Sequence, residues 1–274
     1  MLKSNQTKVL QQYVNMPREF LMRNLLHKDI QRIFYPLQFF NKIFFSSKYT
    51  MRGDFITPNG WKHHCFLYSV MTLLIILTLH RLFFGDLESM IESFDTNITK
   101  AIMFIFILFY MIQLITVTIL NVIYSSDYVI IILRIQIINE IFGFNKRRID
   151  CFAFGNWIFN LVLIIANLCI IGTIYMYSDD SNWLSLIVDL EYNITMDVNM
   201  IFAIFIITCL RKYLIEWSNK VLASGKTLEC IKEDSDNMYD IYKNILGAYD
   251  LYKNIFQTLV RSSLIFCEIA EIIN

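Results

Sequence analysis

Apolar residues fall in long blocks separated by polar connectors. The first block is Cys65–Phe84, CFLYSVMTLLIILTLHRLFF. Its twenty residues, at about 1.5 Å rise each, reach about 30 Å, the thickness of a bilayer's hydrocarbon core. Arg81 is its only formal charge and lies near one end, where it can snorkel to the interface. The second block, Ala101–Tyr124, has no formal charge, and the third, Trp157–Tyr177, has none either. Trp157 and the Tyr175/Tyr177 pair sit at the two ends of the third, where amphipathic rings prefer the membrane interface. A fourth block is solidly apolar only over Met200–Leu210, so a full span there has to extend over 194–214 and take in Asp197. Alternatively, this block is an interfacial or re-entrant segment.

The pattern predicts an all-α, polytopic helical membrane protein with about four transmembrane helices, at 65–84, 101–124, 157–177 and 194–214. A cytoplasmic N-terminal segment, 1–62, precedes them. Residues 215–274 follow as a cytoplasmic amphipathic linker, and the stretch 211–236, with its charge cluster ECIKEDSD, reads as a solvated loop. Within that linker Met238, Ile241, Ile245, Tyr249, Tyr252, Phe256 and Leu259 recur at helical spacing, which predicts an amphipathic helix packed on a partner surface. The tail SSLIFCEIAEIIN, interrupted by Glu268 and Glu271, is expected to be the start of a fifth span.

Composition sharpens this picture. Hydrophobic residues make up 56% of the chain and charged residues 18%, below the roughly 25% of soluble domains. No proline follows Pro58, which favours unbroken helices. The formal net charge is zero, so nothing points to nucleic acid. The six cysteines, Cys65, Cys151, Cys169, Cys209, Cys230 and Cys267, include no CxxC pair, so neither a zinc site nor a disulfide framework is expected. The start, MLKSNQTKVLQQ, lacks an apolar core, so no cleaved signal peptide is expected.

Basic residues set the orientation, because Lys/Arg-rich connectors stay cytoplasmic. Ten precede the first block; the connector 85–100 holds only Lys100, and 125–156 holds Arg134, Lys146, Arg147 and Arg148. The connector 178–193 holds none, and Arg211, Lys212 and Lys220 follow the fourth block. This alternation puts both termini inside a multi-pass plasma-membrane protein. The sequons at Asn97 and Asn193 then fall in outer connectors as candidate glycosylation sites, while the one at Asn5 lies inside and should be silent.

No catalytic constellation is present: GxSxG, HExxH, Walker and GxGxxG patterns are all missing, so no enzyme and no cofactor is expected. His63 and His64 are adjacent, so their side chains diverge on a helix and make a poor metal pair. Carboxylates are expected in the connectors rather than inside spans, which argues against a proton relay. The polar residues within spans are either interhelical glue or the lining of a ligand cavity in the outer half. The candidate ligand-binding residues are Tyr110, Gln113, Asn167, Thr173, Tyr175, Asp197 and Asn199. Asn160 and Asn167, seven apart, share a helix face. The scarcity of Gly and Pro within spans weighs against a secondary transporter.

Three features resemble the insect gustatory receptor family, most of all its divergent bitter-type branch in moths and butterflies. The first is the approach to the first span, FYPLQFFNKIFFSSKYTMRGDFITPNGWKHHCFLYSVMTLLII, with Pro36-Leu37 ahead of an apolar stretch and a polar hairpin-like segment. The second is the cytoplasmic N-terminus. The third is MYDIYKNILGAYDLYKNIFQTLV, similar to the family's linker before its fifth span. The resemblance covers roughly residues 30–260. It implies a chemosensory receptor for taste: a glycoprotein acting in signal transduction as a tastant-gated cation channel, in homo- or hetero-tetramers with other receptor subunits. The family has seven spans, and its Thr-Tyr…Gln-Phe signature and pore helix lie in the last. The chain is therefore expected to be a partial receptor that conducts nothing alone. The alternatives are an accessory or dominant-negative subunit and a small membrane transporter.

Overall fold

A computed structural model describes residues 24–84, 97–142, 146–177, 183–224 and 238–257. Among these the chain is mostly helical. Helix α1 spans Lys28–Ile43, and a hairpin follows, β1 Tyr49–Arg52 and β2 Phe55–Pro58. Next come α2 Trp61–Phe84, α3 Asn97–Ile123, α4 Ser125–Phe142, α5 Lys146–Tyr177 and α6 Trp183–Ser224. Residues 238–257 form α7.

α1 starts where the His27 ring accepts the backbone N–H of Asp29, and Lys42 complements the dipole of its last turn. In the hairpin, Tyr49 pairs with Pro58 and Met51 with Ile56. Because strand side chains alternate, these four share the inward face, and Tyr49 and Ile56 are fully enclosed. Gly53, at φ +58°, supplies the left-handed position that a two-residue turn demands. The hairpin-like segment expected from sequence is thus a real hairpin, but half of it is core.

Among the described residues three apolar helical stretches are long enough to cross a membrane: Trp61–His80 (20 residues), Ile149–Thr173 (25) and Leu186–Ala223 (38). Ile107–Ile123 and Ser125–Phe142, bent by 63° where they meet, make a fourth only if the two together form one span. The four expected blocks are all helical, yet the connectors differ from expectation. The stretch 125–156 is helix apart from residues 143–145, which lie outside the described residues. The third connector is helical from Trp183, and residues 211–224 belong to α6 rather than to a loop. Asp189 and Glu191 consequently sit within the apolar run of α6, not in a connector as expected, and Asp197 lies in the same run. At 42 residues, about 63 Å, α6 is roughly twice as long as a hydrocarbon core is thick.

The main core joins α1, the hairpin, the end of α3, α4, the middle of α6 and α7. Phe202 and Ile206 of α6 are fully enclosed, with Phe34 edge-on to Phe205 at 5.5 Å and Tyr128 edge-on to Phe202 at 5.5 Å. The apolar run Met200–Leu210, which reads as a span, is therefore largely covered by protein. α7 packs as its periodicity predicts, through Ile241, Ile245, Ala248, Leu251, Ile255 and Phe256. Tyr249, expected on that face, is 44% exposed, and Leu259 lies outside the described residues. A thinner cluster, Leu74, Leu114, Val188 and Tyr192, ties α2 and α3 to α6. Elsewhere α2 and α5 present bare apolar faces, including Leu73, Ile76, Val162, Ile165 and Ile170.

Candidate functional site

Between α1 and the hairpin the chain runs Phe44-Phe45-Ser46-Ser47-Lys48. Phe45 takes φ +46°, a left-handed conformation uncommon for a ring-bearing residue, and so reverses the chain at the end of α1. The reversal carries Ser46, Ser47 and Lys48 into the interior, where all three are buried.

Lys48 Nζ donates to Asn41 Oδ1 (2.8 Å), to Asn199 Oδ1 and to the Ser46 carbonyl (3.5 Å). Three oxygen acceptors match the three N–H groups of an ammonium. The rings of Phe202 and Tyr128 stand 5.0 and 5.6 Å from the nitrogen and add cation–π attraction. Neither ion pair among the described residues involves Lys48. Burial without a counter-ion holds its pKa well below the usual lysine value of 10.5.

The backbone beside Lys48 is pinned as firmly. Ser125 Oγ donates to the Lys48 carbonyl (2.9 Å) and accepts the Asn59 N–H (2.9 Å). Asn121 Nδ2 and Asn199 Nδ2 both reach Ser46 Oγ, at 3.0 and 2.7 Å. Asn59 Nδ2 donates to the Ser47 carbonyl (2.7 Å), and Thr50 Oγ1 donates to Asn59 Oδ1 (2.8 Å). Residues from α1, α3, α4, α6 and the hairpin thus converge on one enclosed polar network. The bend between α3 and α4 is placed so that Asn121 and Ser125 flank it.

A second polar group lies along α6. Asn167 Nδ2 of α5 donates to Asp197 Oδ2 (2.7 Å). Thr195 Oγ1 lies 3.1 Å from Glu191 Oε1 and 3.2 Å from the Phe44 carbonyl. Glu191 and Thr195 also line a cleft with Ser46, Thr118 and Asn121 on its polar wall and Leu67, Met71, Leu74 and Leu114 on its apolar one. The cleft encloses about 290 Å³ counting its open mouth, but it is narrow, with room for about one water molecule.

Of the sequence candidates, Asn167 meets Asp197, and Asn199 joins the Lys48 network. Gln113 is half-buried on α3. Tyr110 is 40% exposed, and Thr173 is exposed with its hydroxyl donating to its own helix at the Cys169 carbonyl. Neither is brought to the cleft. The side chains of Tyr175 and Asn97 lie outside the described residues, as does Asn5. Asn193 stands mid-helix in α6 with its amide donating to the Asp189 carbonyl (2.8 Å), and the Thr195 of its sequon is 4% exposed. Asn160 and Asn156 face inward. Asn156 Nδ2 donates to the Ile33 carbonyl (3.0 Å), the interhelical glue expected of such amides, while Asn160 Oδ1 has no partner among the described residues. Among the described residues no group of three His, Cys, Asp or Glu is placed to hold a metal.

Lys48, Asn41, Ser46, Asn59 and Glu191 escaped the sequence reading. Asn41, Ser46, Lys48 and Asn59 fall in the segment 1–62, read only as cytoplasmic, and tertiary contacts reveal them as interior. Comparison with known protein families, curated proteins and solved structures returns no match for the chain.

Proposed function

We propose that the chain is a multi-pass plasma-membrane protein with a cytoplasmic N-terminus, and that it serves as a chemosensory receptor subunit of the gustatory type, gated by a small tastant. One observation carries the membrane reading. α2 and α5 expose contiguous apolar faces, with Leu73 and Ile76 on one and Leu161, Val162, Ile165, Leu168 and Ile170 on the other. Water would penalise such area at about 25 cal/mol per Å², whereas lipid accepts it. The receptor reading leans on the resemblance across residues 30–260. It is supported by the hairpin ahead of α2 and by α7, which docks beside α4 as a cytoplasmic linker helix would.

In this reading the narrow cleft among α2, α3 and α6 is the closed state. A tastant acts by binding more tightly to an arrangement in which these helices part. Two measurements bear on the proposal. Alkaline carbonate should leave the expressed chain in the membrane pellet, with glycan added at Asn97 alone, since folded α6 offers the Asn193 sequon no accessible acceptor. Release into the supernatant would sink the membrane reading. Co-expression with full-length gustatory receptors should change the amplitude or tuning of tastant-evoked cation currents, and unchanged currents across a tastant panel would count against the receptor reading.

A second reading has a specific observation in its favour. Asp189, Glu191 and Asp197 lie within the apolar stretch of α6, and carboxylates at membrane depth mark ion pathways. A small coupled transporter would use them. Saturable, pH-dependent solute uptake by the chain alone, abolished by Asp197→Asn, would favour it over the receptor.

A further inference from the structure

α6 turns one polar row toward the reversal that follows α1. Glu191, Thr195 and Asn199 are four residues apart and share a helix face. Asn199 donates to Ser46 Oγ (2.7 Å) and accepts from Lys48. Thr195 Oγ1 stands 3.2 Å from the Phe44 carbonyl, and Glu191 Oε1 stands 3.1 Å from the same hydroxyl. The row therefore fastens α6 to the turn 44–48 at successive points, and its Glu191 end opens on the cleft.

The hydrogens at Thr195 can be counted. A threonine hydroxyl has one to give. Here it faces two acceptors, the Phe44 carbonyl and the Glu191 carboxyl. An ionised Glu191 competes for that hydrogen and leaves one of the two contacts without a donor. Both are satisfied together when Glu191 carries a proton, donates it to Thr195 Oγ1, and Thr195 passes its own hydrogen to Phe44. No cation answers the carboxyl. Neither ion pair among the described residues involves Glu191. It is the one ionisable side chain among the described residues that line the cleft, where α2, α3 and the turn contribute only apolar, hydroxyl and amide groups. Lys48 meets the row at Asn199, about 12 Å along α6 from Glu191. On α6 itself Asp197 is engaged by Asn167 of α5, and Tyr192 faces Thr78 of α2 at 3.2 Å. Asp189 leaves the helix about 200° round its axis from Glu191.

We propose that Glu191 is a proton-binding site that latches the cleft shut. With its proton in place, the relay from Glu191 through Thr195 to the Phe44 carbonyl ties α6 to the turn, and Phe44 and Phe45 stay against the cleft they line. When the proton leaves to solvent, the carboxylate takes the Thr195 hydrogen and the Phe44 carbonyl loses its donor. A buried carbonyl without a donor is costly, so the turn parts from α6 and water enters beside the new charge. The latch rests on the reading of this cleft as the closed ligand site. It adds the regulator: protons hold the cleft closed, and its openness rises with pH.

The test uses the full chain in detergent with Cys65, Cys151, Cys169, Cys230 and Cys267 changed to Ser and the buried Cys209 kept. Thr118→Cys, on the α3 wall of the cleft, is the reporter. An infrared titration between about pH 5 and about pH 9, taken as parent minus Glu191→Gln, should show one carboxylic-acid C=O stretch that fades as pH rises. Over the same range a charged methanethiosulfonate labels Thr118→Cys. Its rate, divided by the rate in Glu191→Gln at the same pH, should climb severalfold from about one. The division removes the thiol's own titration, because the substituted amide keeps an N–H for Thr195 at every pH. Thr195→Val, with no hydrogen to give, should label fast throughout. If the difference band is missing at every pH, or the ratio stays flat while the cysteine labels, the latch is overturned and the cleft reading stands. Thr195→Val labelling as slowly as Glu191→Gln would overturn the latch as well. If the reporter labels in none of the three proteins while a chain that keeps the exposed Cys65 does, the cleft does not open, and the ligand-site reading falls together with the latch.

Discussion

Lys48 is the costliest residue in the described structure to place. An ammonium shut away from water loses several kcal/mol of hydration, recovered here by three oxygen acceptors and two ring faces. Lys48→Met leaves the carbonyl oxygens of Asn41 and Asn199 buried without that donor, at roughly 1–3 kcal/mol each. The variant should melt measurably earlier in detergent, and an unchanged Tm would show that the network relaxes at no cost. The pH dependence has a definite sign. Because burial lowers the folded pKa, the unfolded chain takes up this proton first as pH falls. The contribution is thus present at alkaline pH and is lost as pH drops through the folded pKa. Between about pH 7 and about pH 9.5 the Tm of the parent chain should rise relative to that of Lys48→Met. That range stays below the ordinary pKa of Tyr49, whose own value burial pushes up.

At the scale of elements, α7 shows how a periodic pattern fixes a face but not a neighbour. The spacing of Ile241, Ile245 and Phe256 announces a packed helix. That it docks on α4 is visible only in contacts such as Arg134 Nη1 to Asn244 Oδ1 (3.2 Å), and its proximity to α6 in Trp217 Nε1 donating to the Met238 carbonyl (2.9 Å). Gly247 permits the approach, since a Cβ there would come within 2.6 Å of the Arg134 guanidinium. Gly247→Leu should therefore loosen α7, seen as faster amide hydrogen exchange over 238–257 with α2 unaffected. Equal protection in variant and parent would mean that Arg134 simply swings aside. α6 teaches the converse. Its apolar run continues for 38 residues, and hydropathy alone does not separate the part facing lipid from the part enclosed by protein, because both environments select the same side chains.

Across the whole molecule, tight packing is concentrated where α1, the hairpin, α4, α6 and α7 meet, while α2 and α5 are sparsely covered. Truncation should register that asymmetry. Phe202→Ala removes a fully enclosed ring from the main core and should cost about 3–5 kcal/mol. Val162→Ala, on the bare face of α5, should change stability in detergent by no more than about 0.5 kcal/mol. Comparable Tm losses for the two would mean that the α5 face is covered by protein after all.

The helical class, the four apolar blocks and the packed helix at 238–257 were legible along the chain, because block length and 3.6-residue periodicity are local properties that no distant contact alters. The resting places of Lys48, Ser46 and Asn59 were not. Lys48 lies in a segment read only as cytoplasmic, and the reversal at Phe45 turns it inward toward Asn199, 151 residues away in sequence. Likewise Asp189 and Glu191 read as connector charges, whereas the helix begins at Trp183 and carries both. Local pattern sets what each segment prefers. Which polar groups are shut inside depends on partners far along the chain, because a buried donor or charge is tolerated only where other segments supply its acceptors.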